Sequence, residues 1–199
     1  MRSISKLVFV AAACIALGTG VATAQEALMI SNPLAQKKLA EVPAGALFWR
    51  IETFLTLAQA QEKAGPTALA VESGGKAWLF TLGAAGGPSS GGETVAEVGP
   101  IEPIMAPEYL LRVHETTGAP GGKTKVHSHP GSEAFYVLAG EQSIRSPEGV
   151  VRTQAGKFVV GRGAGVPMQV SNSGTSDLHM LVMFVLDATQ PFSSPAELK

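Results

Sequence analysis

Beyond Pro66 the chain is cut into short apolar runs by glycines and turn residues, and this punctuation constrains the fold more than any other feature. Residues 68–72, 77–82 and 94–98 are strand-length runs, each bounded by glycine or polar turn residues. Residues 109–115 alternate, with Leu111 and Val113 on one face and Arg112 and His114 on the other. Further strands are expected at 133–138, 141–144, 149–154, 158–160, 168–171 and 178–186, with tight turns at Ser146-Pro147 and Ala155-Gly156. Many short strands with regular turns and little helix predict an all-β domain, a closed or nearly closed barrel or jelly roll. The glycine-rich stretch 83–92 reads as a surface loop.

The earlier part of the chain reads differently. Arg2 and Lys6 precede an apolar run at 7–17, and Ala22-Thr23-Ala24 offers a small-residue cleavage site. Residues 1–24 therefore have the plan of a secretory signal peptide, and the apolar run is short for a membrane span. The expected destination is the periplasm or the outside of the cell. Cys14 is the only cysteine, so the processed chain has no disulfide and no thiolate. Removing Arg2 and Lys6 lowers the basic residues from 15 to 13 against 16 acidic ones, a net charge of −3. That balance gives no reason to expect nucleic acid or an anionic membrane surface as a partner.

Residues 25–66 form a partly helical segment in this reading. A short helix is expected at 34–39 after Asn32-Pro33, and a better one at 53–64, ended by Gly65-Pro66. Phe48 and Trp49 look like core anchors, and the segment is expected to pack on the outside of a sheet. The barrel is placed at 67–190, with a tail at 191–199.

Chemistry concentrates in residues 121–140, GGKTKVHSHPGSEAFYVLAG. Side chains two apart on a strand share a face, so His127 and His129 aim two imidazoles at one point. Glu133 can return a carboxylate to that point after the turn at Pro130-Gly131. Two neutral imidazoles and a carboxylate suit iron, manganese, zinc, nickel or copper.

The stretch resembles the first motif of the cupin superfamily, G-x5-H-x-H-x3-E-x6-G, at Gly121, His127, His129, Glu133 and Gly140. The resemblance covers residues 105–187 and implies a cupin-type jelly roll with one divalent transition metal (Fe, Mn, Ni, Zn or Cu). The family's second motif is matched at Gly156, Gly165 and Asn172 with one residue inserted, and Gly163 replaces its usual proline. Its histidine, which normally completes the metal site, is replaced by Met168. Met168 then has two readings, a soft thioether ligand for copper or a packing side chain. His114 or His179 is a third source of the missing ligand.

Two functions from different classes follow. The first is an exported small-molecule metalloenzyme of dioxygenase, isomerase or lyase type. Its pocket would be lined by Phe135, Val137, Phe158, Met168 and Met183, with Arg112 or Arg162 available for a substrate carboxylate. The second is a non-catalytic periplasmic metal- or ligand-binding protein, with copper held partly by Met168. A homodimer is expected, because jelly-roll edges are strands that need covering.

Overall fold

The computed structural model describes residues 28–199; the expected signal peptide, with Cys14, lies outside them. Fourteen strands and one helix follow in order. They are β1 (Ile30–Leu39), β2 (Phe48–Phe54), α1 (Leu57–Lys63), β3 (Ala68–Ser73), β4 (Lys76–Gly83), β5 (Glu93–Val98), β6 (Tyr109–Gly118) and β7 (His127–Ser128). Then come β8 (Gly131–Ala139), β9 (Glu141–Ser146), β10 (Gly149–Gln154), β11 (Phe158–Val160), β12 (Gln169–Asn172), β13 (Leu178–Asp187) and β14 (Ser194–Pro195).

The barrel is built from a five-stranded sheet, β1-β6-β13-β8-β11, facing a smaller one, β10-β9-β12, with the β14-β7 pair beside it. All these named-strand pairings are antiparallel. The central strand β13, LHMLVMFVLD, is almost continuously apolar because both of its faces are buried. Met180, Val182, Phe184 and Leu186 point into the barrel and meet Phe135, Val137, Ile144 and Val170. Leu181, Met183 and Val185 point outward, where a second apolar layer receives them.

That outer layer is a separate four-stranded sheet, β3-β4-β2-β5, made from residues 48–98. Trp49, Ile51, Val71, Trp78, Phe80 and Val98 pack against the outward side chains of β6 and β13 in one cluster. Of the early segment, β2 belongs to this outer layer and α1 packs on it, whereas β1 joins the barrel sheet itself. The helix α1 is short and well capped: Thr56 Oγ1 accepts from Gln59 N–H at 3.2 Å, and Gln59 Oε1 accepts from Thr56 N–H at 3.2 Å. Its buried Ala60 packs on Ala68 and Leu79.

Two expectations change. Residues 34–39 are not a helix but part of β1, paired antiparallel with β6. Pro33 can sit there because β1 is an edge strand, and the register shifts between Pro33 and Ala35. Lys37 fixes the strand by donating to the carbonyls of Gly65, Pro66 and Ala68 at 3.1–3.2 Å. These tertiary bonds override the local helical signal. The second expected helix begins only at Leu57, since residues up to Phe54 continue β2.

The glycine-rich loop is tied down. Ser89 Oγ donates to the buried Glu52 carboxylate at 2.5 Å and Ser90 N–H donates to it at 3.0 Å, while Arg50 donates to Pro88 O at 2.8 Å.

Candidate functional site in the barrel

Inward-facing side chains line up across the five-stranded sheet because directly paired residues share a face. One row is Glu133 (β8), Phe184 (β13), Arg112 (β6) and Gln36 (β1); the next is Phe135, Val182 and His114. Glu133, Phe135, Val182 and Phe184 of these rows border a cavity of about 260 Å³ whose wall also includes His127 and His129. Its apolar side is Phe135, Val170, Met180, Val182 and Phe184, and hydroxyls enter from Ser31, Thr116 and Thr124.

The two motif imidazoles stand nearly perpendicular, with ring centres 4.9 Å apart. Each has its Nδ1 committed to a carbonyl, His127 to Lys125 O at 2.8 Å and His129 to Phe192 O at 2.7 Å. A carbonyl only accepts, so both Nδ1 atoms carry a proton, and in the neutral imidazole this tautomer leaves the lone pair on Nε2. Carbonyl partners of this kind fix the tautomer of metal-ligating histidines.

Glu133 is 2% exposed, and its Oε1 has no hydrogen-bond partner. Burial pushes its carboxyl group up to about 8, with Arg162 pulling slightly the other way. His129, 4% exposed, is pushed down to about 4, chiefly by burial, against the Phe192 carbonyl bond. Glu133 Oε2 lies 3.6 Å from His129 Nε2. Both groups favour their neutral forms near neutral pH, so this contact is not an ion pair.

Close approach of the backbone shapes the same corner. A Cβ added at Gly161 would sit 2.7 Å from Glu133 Oε1 and 2.9 Å from Phe135 Cε2. Gly161 N–H donates to Glu133 O at 2.8 Å, so the glycine holds the main chain beside a side chain that needs its missing Cβ.

The other sequence candidates separate clearly. Met168 pairs directly with His127, with mutual backbone bonds of 2.8 and 2.9 Å, so the two side chains share a face. It is fully buried in the inner apolar cluster. His179 points outward from β13: its Nε2 lies 2.8 Å from Glu115 Oε1 and 3.3 Å from Ser73 Oγ, away from the cavity. His114 points inward but is screened from His129 by Phe184 and Phe192, whose rings contact both imidazoles. Burial lowers its pKa to about 4, its Nδ1 meets Ser31 Oγ at 2.9 Å, and its Nε2 has no partner.

Two residues expected in the lining lie elsewhere. Phe158 is 46% exposed on the edge strand β11, and Met183 belongs to the outer cluster. Phe135 is in the wall, while Val137 packs in the inner cluster. Arg162 donates to Ser146 Oγ at 2.8 Å and faces Glu148 at 3.4 Å. Arg112 lies over the Phe192 ring at 4.7 Å and donates to Gln36 Oε1.

Sequence reasoning missed Phe192 and Ser193, assigned to a tail, although both border the cavity. It also missed Ser31, in the segment expected to pack outside. The inward set on β13 had no local mark, because the strand is apolar on both faces, and nothing local marked Phe192.

The donor set has the right chemistry for a divalent transition metal, and the orphaned Glu133 oxygen gives a cation something to satisfy. Two ligands about 2.1 Å from one ion stand about 3.0–3.4 Å apart, close to the His129–Glu133 spacing. Among the described residues, no three His, Cys, Asp or Glu side chains converge as a ready-made cage. A bound ion would therefore have to draw His127 in.

Residues 114–184 match the family model described as Cupin domain. This segment is a cupin domain. No curated protein matches the chain. Similar solved structures include a cupin-like protein from Thermotoga maritima, 17% identical over 44% of this chain and 65% of that one, with a TM-score of 0.39. A conserved protein with a double-stranded β-helix domain from Klebsiella pneumoniae is 22% identical over 44% of this chain and 75% of that one, with a TM-score of 0.38. Lactobacillus farciminis oxalate decarboxylase is 20% identical over 43% of this chain and 26% of that one, with a TM-score of 0.37. The chain spans 48–65% of the length of three of the similar solved structures.

Proposed function

We propose that the cavity holds one divalent transition metal between His127, His129 and Glu133, and that the loaded chain is a metalloenzyme acting on a small, largely apolar molecule. The Glu133 carboxyl group carries this reading. A buried carboxyl with one oxygen unpartnered costs stability unless a cation or a proton satisfies it. It stands beside an imidazole whose free nitrogen is 3.6 Å away.

A metal bound there supplies a Lewis acid for an oxygen of the ligand. The chain's own residues do the remaining work. The carbonyls of Lys125 and Phe192 hold the Nδ1 protons and so keep both Nε2 lone pairs available. Glu133, whose carboxyl group burial keeps protonated, would give up that proton to water if a cation bound. Phe135, Val182 and Phe184 exclude water and accept an apolar body, while Thr116, Thr124 and Lys125 offer polar contacts to its other end. Dioxygenase, isomerase and lyase chemistries share these requirements.

One observation favours a non-catalytic metal- or ligand-binding role instead. Among the described residues, Glu133 is the only carboxylate in the cavity wall, so a bound metal would leave no second carboxylate there for proton transfer. Elemental mass spectrometry of chelator-free, untagged protein tests the metal, with the His127→Ala, His129→Ala double variant as control. About one equivalent of metal, absent from the control, is expected. Oxygen consumption or turnover across phenols, keto acids and sugars then supports the enzyme, and its absence across that panel favours the binding role.

The proposal includes export after loss of residues 1–24, tested by the N-terminal sequence of protein from the periplasm. It also includes a homodimer, supported by the exposed apolar residues Val150, Val151 and Phe158 on two edge strands. A concentration-independent monomer mass would refute the dimer.

A further inference from the structure

We infer that residues 191–196 form a strap that closes the cavity, orients His129 through Phe192, and must lift for the site to exchange its occupant. This goes beyond the proposed function, and only its metal-exchange arm rests on that reading.

The strap has a firm start and a weak far end. At the start, Asp187 accepts from Thr189 N–H at 2.9 Å, Thr189 Oγ1 at 2.7 Å and Gln190 Nε2 at 2.7 Å, which fixes the turn leaving β13. At the far end β14 is two residues long and exposed, pairing Ser194 with Ser128 and Pro195 with His127. Ala196 N–H adds one bond to Val126 O at 3.2 Å. So short a pairing is the kind of element that opens locally at small cost.

Between these ends Phe192 does two things. Its carbonyl accepts the His129 Nδ1 proton at 2.7 Å, so strap position and imidazole orientation are one variable. Its ring stacks on His114 at 5.0 Å and meets His129 and Phe184 edge-on at 4.9 and 5.0 Å. The Arg112 guanidinium lies over the same ring, 4.7 Å from its centre. Phe192 and Ser193 are part of the cavity wall, and His129 is buried behind them. Lifting the strap would expose His129 and release its ring in one movement. Phe192 is therefore a positioning residue.

Two variants separate the ring from the whole strap: Phe192→Gly keeps the carbonyl, and a chain ending at Gln190 removes both. The first readout uses metal-free protein and diethyl pyrocarbonate, with carbethoxylation of each histidine followed by peptide mass mapping. His179 on the outer face is the internal reference. The expected result is slow reaction at His129 in the parent chain and at least tenfold faster reaction in Phe192→Gly, with His179 unchanged. Unchanged His129, or His129 and His179 rising together, overturns the inference, because the second pattern is general loosening. If the truncated chain does not fold, Phe192→Gly decides alone. The second readout is loss of bound Co2+ to excess chelator, expected at least tenfold faster in Phe192→Gly and overturned by equal rates. A parent chain that binds no Co2+ would sink the metal reading, while the His129 reactivity still decides the strap.

Discussion

Gly161 and Glu133 occupy space that no larger pair could share: a Cβ on Gly161 would lie 2.7 Å from Glu133 Oε1 and closer still to its Cγ. The Glu133 side chain cannot swing far, since it is enclosed and Phe135 stands on the same side. Gly161→Ala should therefore displace the carboxyl group from His129. Overpacking of this kind costs about 1–3 kcal/mol. Disturbing the support of a metal ligand costs roughly 10–100-fold in affinity. Chemical denaturation and Co2+ titration of the variant check both numbers, and unchanged Co2+ affinity would detach Glu133 from the site.

The stability of metal-free protein should pass through a maximum near pH 6.5. His114 and His129 have folded pKa values near 4, below the ordinary 6.5, so the folded state binds fewer protons between those values. Their contribution is present above pH 6.5 and is lost as pH falls toward 4. Glu133 is the opposite case. Its folded value near 8 lies above the ordinary 4.5, so its contribution is present below pH 4.5 and is lost as pH rises through 8. Between 4.5 and 6.5 two histidines outweigh one carboxyl group; above 6.5 only the carboxyl group acts. Denaturation midpoints from pH 4 to 9 should show this shape, and Glu133→Gln should flatten the alkaline side.

What the sequence made legible was what depends on local periodicity. The strand runs from β3 to β13 and the glutamate with its two histidines follow from spacing of two along a strand and from turns marked by glycine. What it hid depends on distant parts of the chain. The 34–39 segment reads as helix because Pro33 follows a capping asparagine, yet Lys37 finds three carbonyls near Gly65 that only the folded chain brings within reach. Phe158 and Met183 are apolar and looked like pocket lining, but which face of a strand looks inward depends on register across the sheet. Phe192 looked like tail because its partner, His129, is 63 residues away.

Met168 is opposite His127 and fully buried among apolar side chains, where an unbranched thioether fills space well. If packing is its role, Met168→Leu should cost less than about 1.5 kcal/mol, whereas Met168→Ala should cost about 2–5 kcal/mol through the cavity it leaves. Neither should weaken Co2+ binding by more than a few fold. Isothermal titration with Co2+ and with Cu+ under reducing conditions separates the readings. Selective loss of Cu+ affinity in Met168→Leu would make the thioether a ligand.

His179 and Glu115 form their pair on the outer face of β13 and β6, under the four-stranded sheet. There Ser73 Oγ also donates to Glu115 at 2.6 Å. Gly74 passes close by, its Cβ direction 3.5 Å from His179 Cε1, so the cluster links the turn between β3 and β4 to the barrel wall. Glu115 is held below the usual carboxylate range first by the Ser73 hydroxyl and then by His179. The pair is partly exposed, and such pairs contribute little to global stability. His179→Gln should therefore leave Co2+ affinity within twofold of the parent and speed hydrogen exchange locally in residues 73–76. Loss of metal binding would instead reassign His179 to the site, against the outward direction that its register with Thr117 gives it.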